Sequence, residues 1–281
     1  MSPSSSPSAP ALRSASLTEL DRLALAFAEL ASEAGRAIMD IYCRDFEVRA
    51  KADASPVSEA DEAAEPILIS GVERLLPGVP IVAEEAVTRD GPPVVGETYV
   101  LIDPLDGTRE FINRNGEFTV NVALVRKGRP IAGCVYAPAA ARMYMAGKTA
   151  RLAMVTAGGR VADEESCAIS TRPYPGAGLT AVTSRSHADG ETEAFLGRLP
   201  LAGKRDAGSS LKFCLVAEGQ ADVYPRFGPT MEWDTAAGHA VLLAAGGQVL
   251  TPGGEEFLYG KMANGFRNGA FIAWGGAPYT G

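Results

Sequence analysis

The chain has 281 residues, of which 46% are hydrophobic, and its 34 acidic and 26 basic side chains leave a formal net charge of −8. This apolar share is typical of a globular protein and excludes a disordered chain. The acidic balance excludes a nucleic-acid polymer as the main partner, because phosphate backbones are bound by clustered Lys and Arg. It leaves room for a small phosphorylated ligand.

The compartment is predicted from what the sequence lacks. No apolar run approaches the ~18 residues that a membrane span requires. The first residues do not contain the apolar stretch of a signal peptide, and we predict a disordered tail over residues 1–15. The four cysteines are far apart, without a C-x-x-C pair, and there are only two histidines, so a zinc site is not expected and reduced thiols in the cytoplasm are the preferred interpretation.

The first half of the chain predicts two helices followed by an antiparallel sheet. Apolar residues recur at spacings of three and four over residues 17–41, which is the pattern of a long amphipathic helix, and Ser16 with Glu19 fits a capping box at its start. A polar loop over 48–60 leads into a second helix over 60–76. Strands then follow at 80–83 and 99–102, with a hairpin over 118–136.

The second half alternates helices and strands more regularly. The predicted strands cover 179–183, 221–224, 248–250 and 270–273, and the predicted helices cover 192–199, 211–218 and 235–245. This change in pattern places a soft boundary near 155–165. We therefore divide the chain into an N-terminal α+β part, residues 16–158, and a C-terminal α/β part, residues 159–281. The N-terminal part carries the metal-binding motifs, and the C-terminal part is expected to complete the active site.

The most informative segment for chemistry is the run Asp-Pro-Leu-Asp-Gly-Thr at residues 103–108. An apolar strand ends at Asp103, and Asp106 follows three residues later. Two carboxylates this close repel each other and are costly to bury unpaired, and a hard divalent cation such as Mg²⁺ or Ca²⁺ removes that cost. Gly107 allows close backbone approach, so its N–H and that of Thr108 could bind an anion. An Asp-rich turn that caps itself is the alternative.

Two further carboxylates strengthen the metal interpretation. Glu84 ends the preceding short strand, where it could reach the same cation, although surface Glu pairs are common. Asp234 comes immediately before an apolar helix. As an N-cap it would need no function, but a helix N-terminus also suits a phosphate through its free N–H groups and dipole.

Together these motifs resemble the inositol monophosphatase superfamily of metal-dependent, lithium-sensitive phosphatases. The resemblance rests on the Glu-Glu pair at 84–85, the 103–108 run and Trp-Asp-Thr-Ala-Ala-Gly at 233–238, and it extends from about residue 17 to residue 273. Finer matches at 109–121, 184–187 and 208–214 resemble one branch, the 3'(2'),5'-bisphosphate nucleotidases of the CysQ type. The Thr-Asn-Phe that usually follows the Asp-Gly-Thr of inositol monophosphatases is absent here.

The resemblance implies a set of metal ligands. Glu84, Asp103 and the carbonyl of Leu105 would bind one Mg²⁺ ion, and Asp103 would bridge to a second ion completed by Asp106 and Asp234. A third, weaker ion would lie near Glu84 and Asp61. The residues 55–61 match an N-terminal element of the family that carries this last aspartate.

The same resemblance implies roles in catalysis and substrate binding. Thr108, paired with Asp61 or Glu84, would orient and deprotonate the attacking water in an in-line displacement. Lys212 and the nearby serines are candidates for the second phosphate and the ribose, with Arg226 and Arg185 as further candidates; the alternative for Lys212 is a solvated helix lysine. The substrate-binding set is Leu105, Asp106, Gly107, Thr108, Ser210, Lys212 and Asp234.

The family implies a layered α/β/α/β/α sandwich of the α+β class. The expected activity is Mg²⁺-dependent hydrolysis of adenosine 3',5'-bisphosphate to AMP and phosphate, with 3'-phosphoadenylyl sulfate as a further substrate, in sulfur assimilation. The alternative is an inositol or sugar phosphatase using the same metal site. We expect a cytoplasmic monomer or homodimer. Some relatives are peripheral to the inner membrane, but this sequence contains no amphipathic anchor.

Overall fold

The computed structural model describes residues 17–46, 48–50, 56–185 and 189–279. The predicted disordered tail, the predicted cap residue Ser16 and the residues Ser55, Ser186 and His187 of the family-like motifs lie outside these ranges. The described residues form the predicted helices and strands. They also form elements that the sequence did not indicate, namely two short helices at Glu84–Asp90 and Thr108–Ile112 and strands at Arg142–Ala146, Ala150–Met154, Cys167–Ala168 and Leu201–Ala207. The helices are α1 (Glu19–Tyr42), α2 (Glu59–Leu75), α3 (Glu84–Asp90), α4 (Thr108–Ile112), α5 (Gly190–Leu196), α6 (Leu211–Ala217) and α7 (Glu232–Ala244), with short 3₁₀ turns at Pro138–Ala140, Asp163–Glu165 and Met262–Asn264.

The strands form two large sheets and one small ribbon. The ribbon pairs β1 (Val48–Ala50) with β2 (Pro56–Ser58). The first large sheet has seven strands, arranged in the order of the chain: β3 (Ile81–Ala83), β4 (Thr98–Asp106), β5 (Thr119–Arg126), β6 (Arg129–Ala137), β7 (Arg142–Ala146), β8 (Ala150–Met154) and β9 (Cys167–Ala168). Only β3 and β4 are parallel within it.

The second large sheet has five strands in the order β11-β10-β12-β14-β13. They are β10 (Leu179–Ser184), β11 (Leu201–Ala207), β12 (Val223–Arg226), β13 (Gln248–Leu250) and β14 (Phe271–Trp274). β10 runs parallel to β11 and β12, whereas β14 runs antiparallel to β12 and β13. This sheet is therefore mixed.

The packing of buried side chains defines five layers. Along β4, Val100 and Ile102 pack with α1 and α2, whereas Tyr99 and Leu101 pack with α6 and α7. Because successive side chains of a strand point to opposite faces, helices cover both faces of the seven-stranded sheet. The five-stranded sheet covers the outer side of α6 and α7, and α5 packs on its far face through Leu196. The predicted α/β/α/β/α sandwich is confirmed.

The structure corrects several sequence-based boundaries. The N-cap of α1 is Thr18, two residues after the predicted position. Its hydroxyl accepts from Asp21 N (3.2 Å), while Asp21 Oδ2 accepts from Thr18 N (3.0 Å). The predicted loop over 48–60 contains the β1–β2 ribbon. The predicted helix at 235–245 starts earlier, at Glu232, so that Asp234 lies in its first turn rather than before it. The division of the chain near residue 158 remains a prediction.

Candidate metal centre and its cavity

Three carboxylates from three elements meet beside one cavity. Glu84 begins α3 directly after β3, Asp103 lies within β4, and Asp234 lies in the first turn of α7. One ligand oxygen from each lies within 4.8 Å of the others. The parallel pairing of β3 with β4 places Glu84 beside Asp103, as the motif spacing predicts. They line a cavity of about 280 Å³.

The electrostatics of this cluster favour a cation. Asp103 is 1% exposed, and burial together with the charges of Glu84, Asp106 and Asp234 raises its pKa well above the usual value. Burial and the same neighbouring carboxylates also raise the pKa of Asp234, although Met231 N donates to its Oδ2 at 2.8 Å. Carboxylate oxygens crowded in this way are the donor set of a hard divalent cation. The residues present therefore fit a metal site.

This electrostatic balance makes metal binding pH-dependent. Because the pKa values of Asp103 and Asp234 are raised, protons compete with a divalent cation for these carboxylates. Rising pH removes the protons, so Mg²⁺ should stabilise the protein more at pH 8 than at pH 5.5. Thermal unfolding with 10 mM Mg²⁺ and with a chelator measures this difference in Tm. An equal Mg²⁺-induced rise in Tm at pH 8 and at pH 5.5 would contradict a metal site at Asp103 and Asp234.

Asp106 lies beside the three-carboxylate group but is held by other residues. Its Oδ2 accepts from Ser210 N (2.7 Å), Ser209 Oγ (2.7 Å) and Asn121 Nδ2 (3.4 Å). All three of these donors point at one oxygen, which leaves Oδ1 available to a cation. Two of them come from the loop between β11 and α6, so the second half of the chain orients this carboxylate.

Leu105, Gly107 and Thr108 form the turn that the sequence indicates. Leu105 N donates to Asp103 Oδ1 (3.1 Å), and Thr108 Oγ1 donates weakly to the Leu105 carbonyl (3.4 Å). Gly107 adopts a φ of 91°, and a Cβ there would lie 3.3 Å from Glu110 Oε2, the Glu117 carbonyl and Ser209 Cβ. Only glycine adopts this tight turn readily. The backbone therefore lies at the cavity wall.

Asp61 comes close to the cluster from α2. It is 1% exposed, and its charge contributes to the raised pKa of Asp103. It is not one of the three residues whose oxygens lie within 4.8 Å of each other. The structure thus brings Asp61 into electrostatic range of the cluster, at its edge.

Two lining residues of the cavity are cationic. Lys212 is 6% exposed and Arg226 is 8% exposed, and both line the cavity. Burial, together with the charge of Arg226, lowers the pKa of Lys212 to about 8, although Asp106 opposes this shift. Lys212 Nζ donates to the Ser209 carbonyl (2.5 Å) and lies 5.5 Å from the ring centroid of Tyr224. The alternative of a solvated helix lysine is therefore wrong.

Ser210 and Arg185 take different positions. Ser210 lines the cavity and donates from Oγ to the Asp234 carbonyl (2.6 Å). Arg185 forms a two-point ion pair with Glu117, at 2.8 Å for both contacts, and lines a neighbouring cavity of about 240 Å³. The structure therefore places Arg185 outside the metal cavity, whereas Arg226 lines both cavities.

Some cavity residues were not predicted from the sequence. Thr230 and Thr235 flank Asp234, and Tyr224 and Ser184 complete the wall near the cations. Thr235 directly follows the aspartate of the 233–238 motif, which is a usable signal. Thr230 and Tyr224 carry no local signal, because they reach the cavity through tertiary packing.

The fold and this site define the class of the protein. The profile of the inositol monophosphatase family matches residues 19–270, and the chain belongs to this family. Within the described residues, no helix combines the length and hydrophobicity needed to cross a membrane.

Relatives narrow the comparison to one branch of the family. The chain is 48% identical over 230 residues to the 3'(2'),5'-bisphosphate nucleotidase CysQ of Escherichia coli (strain K12), which covers 79% of this chain and 87% of that protein. It is 38% identical over 248 residues to the protein of the same name from Buchnera aphidicola subsp. Acyrthosiphon pisum (strain APS), covering 87% and 91%. The crystal structure of CysQ from Bacteroides thetaiotaomicron, a bacterial member of the inositol monophosphatase family, matches with a TM-score of 0.75 at 36% identity, covering 91% of this chain and 98% of that one.

Proposed function

We propose that the protein is a Mg²⁺-dependent 3'(2'),5'-bisphosphate nucleotidase that hydrolyses adenosine 3',5'-bisphosphate to AMP and phosphate. The observation that carries this proposal is a single cavity lined by a carboxylate cluster and by two buried cations, Lys212 and Arg226. The 48% identity to CysQ of Escherichia coli supports the same activity.

The two cations suit a substrate with a second phosphate. One phosphoryl group would bind at the carboxylate cluster through divalent cations, and the second would bind near Lys212 and Arg226. Charge-assisted hydrogen bonds from Lys and Arg to phosphate are among the stronger polar contacts in proteins. An inositol monophosphate carries no second phosphate, so it would leave both buried cations without that contact.

The family resemblance supplies the proposed metal ligands, and the cluster of Glu84, Asp103 and Asp234 supports them. Glu84, Asp103 and the Leu105 carbonyl would hold one Mg²⁺ ion, Asp103, Asp106 and Asp234 would hold a second, and a third would lie near Glu84 and Asp61. Bound Mg²⁺ would neutralise the carboxylates, lower the pKa of a water molecule and stabilise charge on the leaving oxygen.

The chain's own side chains would direct the hydrolysis. Thr108, at the start of α4, would orient the attacking water, and Asp61 or Glu84 would accept its proton. The water oxygen would form a new bond to the 3'-phosphorus as the bond from phosphorus to the ribose 3'-oxygen breaks in line. The 3'-oxygen would then take a proton from solvent, which gives AMP and phosphate. Ser210 and Lys212 would hold the rest of the nucleotide so that these atoms stay aligned.

The wider assignment follows from the same chemistry. We infer that 3'-phosphoadenylyl sulfate is a further substrate, since it carries the same 3'-phosphate, and that the enzyme acts in sulfur assimilation. We place it in the cytoplasm as a monomer or homodimer, and the described residues add no support for peripheral membrane association.

Substrate competition tests this function. Phosphate release in 5 to 10 mM Mg²⁺ should give a kcat/KM for adenosine 3',5'-bisphosphate at least about 10-fold above that for inositol 1-phosphate, the effect of one charge-assisted contact. A preference for inositol 1-phosphate would instead support the inositol phosphatase alternative.

A further inference from the structure

We propose that Asn268 is a positioning residue for Asp234 and for the cavity wall beside it. Asn268 lies outside the cavity, near the end of the segment that links β13 to β14, and it acts through the main chain that leads into α7. This inference rests on the proposed metal-binding function of Asp234. The test below therefore distinguishes a protein that binds no metal from one in which Asn268 does not position Asp234.

The side chain of Asn268 is directed at the start of α7. It is 6% exposed, and its Nδ2 donates to the Met231 carbonyl (2.8 Å), to Thr235 Oγ1 (3.0 Å) and to Thr230 Oγ1 (3.2 Å). Its backbone N–H also donates to the Thr230 carbonyl at 2.9 Å. These three residues surround Asp234 in the sequence, and Thr230 and Thr235 line the metal cavity.

Met231 connects Asn268 to the metal ligand. Its N–H donates to Asp234 Oδ2 (2.8 Å), and its carbonyl accepts from Asn268. A displacement of Met231 therefore changes the direction in which the Asp234 carboxylate points. Groups that orient a metal ligand typically change metal affinity 10–100-fold when they are removed.

The segment that carries Asn268 is itself tied to α7 and to β4. The fully buried carboxylate of Glu232 accepts from Gly260 N (2.7 Å), from Lys261 N (2.8 Å) and from the hydroxyl of Tyr99 (3.0 Å). Lys261 Nζ donates in turn to Asn268 Oδ1 at 3.2 Å. Tyr99 belongs to β4, the strand that carries Asp103 and Asp106. One largely buried network therefore links Asn268 and α7 to the strand of the other carboxylates.

Direct titration with Mn²⁺ tests the inference without turnover. In the full-length protein, Asn268→Ala removes the amide, and Asn268→Asp keeps its shape while replacing the donor group by an acceptor. The electron paramagnetic resonance signal of free Mn²⁺ gives the Kd of each protein. We expect both variants to bind Mn²⁺ about 10-fold more weakly than the wild type. For Asn268→Asp the charge alone would attract the cation, so weaker binding there isolates the lost orientation of Asp234.

Gln248 provides the matched control. Its Nε2 donates to the Gly276 carbonyl (2.7 Å) away from the cavity, so Gln248→Ala removes a comparable amide contact and should leave Mn²⁺ binding within about two-fold. Thermal unfolding of every variant reports stability separately. If Asn268→Ala does not fold, Asn268→Asp carries the test.

The outcomes are distinct. Weaker Mn²⁺ binding in the Asn268 variants, with the control unchanged, supports a positioning role. Unchanged binding in these variants overturns that role, even where Tm falls, since Asn268 would then be structural only. A wild-type protein that binds no Mn²⁺ would instead overturn the proposed metal site itself.

Discussion

Asp103→Asn is expected to lower Mg²⁺-dependent phosphate release by roughly 10³-fold or more, the scale seen when a group that stabilises transition-state charge is removed. Asp103 is the buried member of the cluster, and its oxygen lies within 4.8 Å of an oxygen of Glu84 and of an oxygen of Asp234. The amide keeps the shape of the side chain but cannot supply a negative charge to a cation bound at the cluster. Steady-state hydrolysis over a range of Mg²⁺ concentrations measures the loss.

The same substitution should leave the fold intact and stabilise the metal-free protein. The pKa of Asp103 is raised by burial and by four neighbouring carboxylates, so its ionised form is unfavourable in the folded state without a cation. The free energy of unfolding of the metal-free protein therefore falls as pH rises above the usual carboxyl range. The neutral amide of the variant removes the cost of ionising residue 103 in the folded state. In a chelator at pH 8, Tm should rise by about 2–4 °C for each kcal/mol relieved.

A matched control separates the metal site from general acidity. Glu164 is exposed and distant in sequence from the cluster, and Glu164→Gln should change neither turnover nor the Mg²⁺-induced shift in Tm. Wild-type rates in Asp103→Asn would contradict the metal assignment.

Lys212→Met is expected to raise the KM for adenosine 3',5'-bisphosphate by about 10–100-fold, the range for losing a charge-assisted hydrogen bond. Adenosine 3'-monophosphate lacks the second phosphate, so the KM for its hydrolysis should change little. In the wild-type enzyme, the KM for the bisphosphate should also rise above about pH 8, where Lys212 loses its proton. The Met variant should lack that rise.

Comparing adenosine 3',5'-bisphosphate with adenosine 3'-monophosphate shows whether Lys212 binds the second phosphate or only supports the structure of the site. Lys212 also donates to the Ser209 carbonyl, and Ser209 in turn donates to Asp106. If Lys212→Met slows both substrates equally, then the lysine acts mainly by holding that loop. Lys148, exposed at the turn between β7 and β8, supplies a charge-matched control, and Lys148→Met should leave both KM values unchanged.

Contiguous motifs made the centre of the site predictable. The 103–108 run brings two carboxylates, a turn glycine and a threonine together by chain connectivity, and the continuous burial of β4 is readable from its run of apolar residues. Lys212 was predicted only through the family resemblance. Its burial depends on packing against Tyr224, which local sequence does not encode.

Other elements carried weaker signals. Residues 16–21 contain two overlapping candidates for the capping box of α1. The sequence favours Ser16 with Glu19, whereas the structure has Thr18 with Asp21. β11 lies at a sheet edge, with Lys204 and Arg205 exposed, so it lacks the apolar alternation of a buried strand. The contacts of Asn268 join positions more than 30 residues apart, and no periodicity in one sequence reports such contacts.

The measurement that tests the proposed function most directly is ³¹P nuclear magnetic resonance of adenosine 3',5'-bisphosphate incubated with the enzyme, with and without Mg²⁺. We expect the 3'-phosphate resonance to be replaced by inorganic phosphate while the 5'-phosphate resonance persists as that of AMP, and only when Mg²⁺ is present. Release of the 5'-phosphate, or equal turnover in a chelator, would contradict the proposed function. So would a preparation that hydrolyses inositol 1-phosphate but does not hydrolyse adenosine 3',5'-bisphosphate.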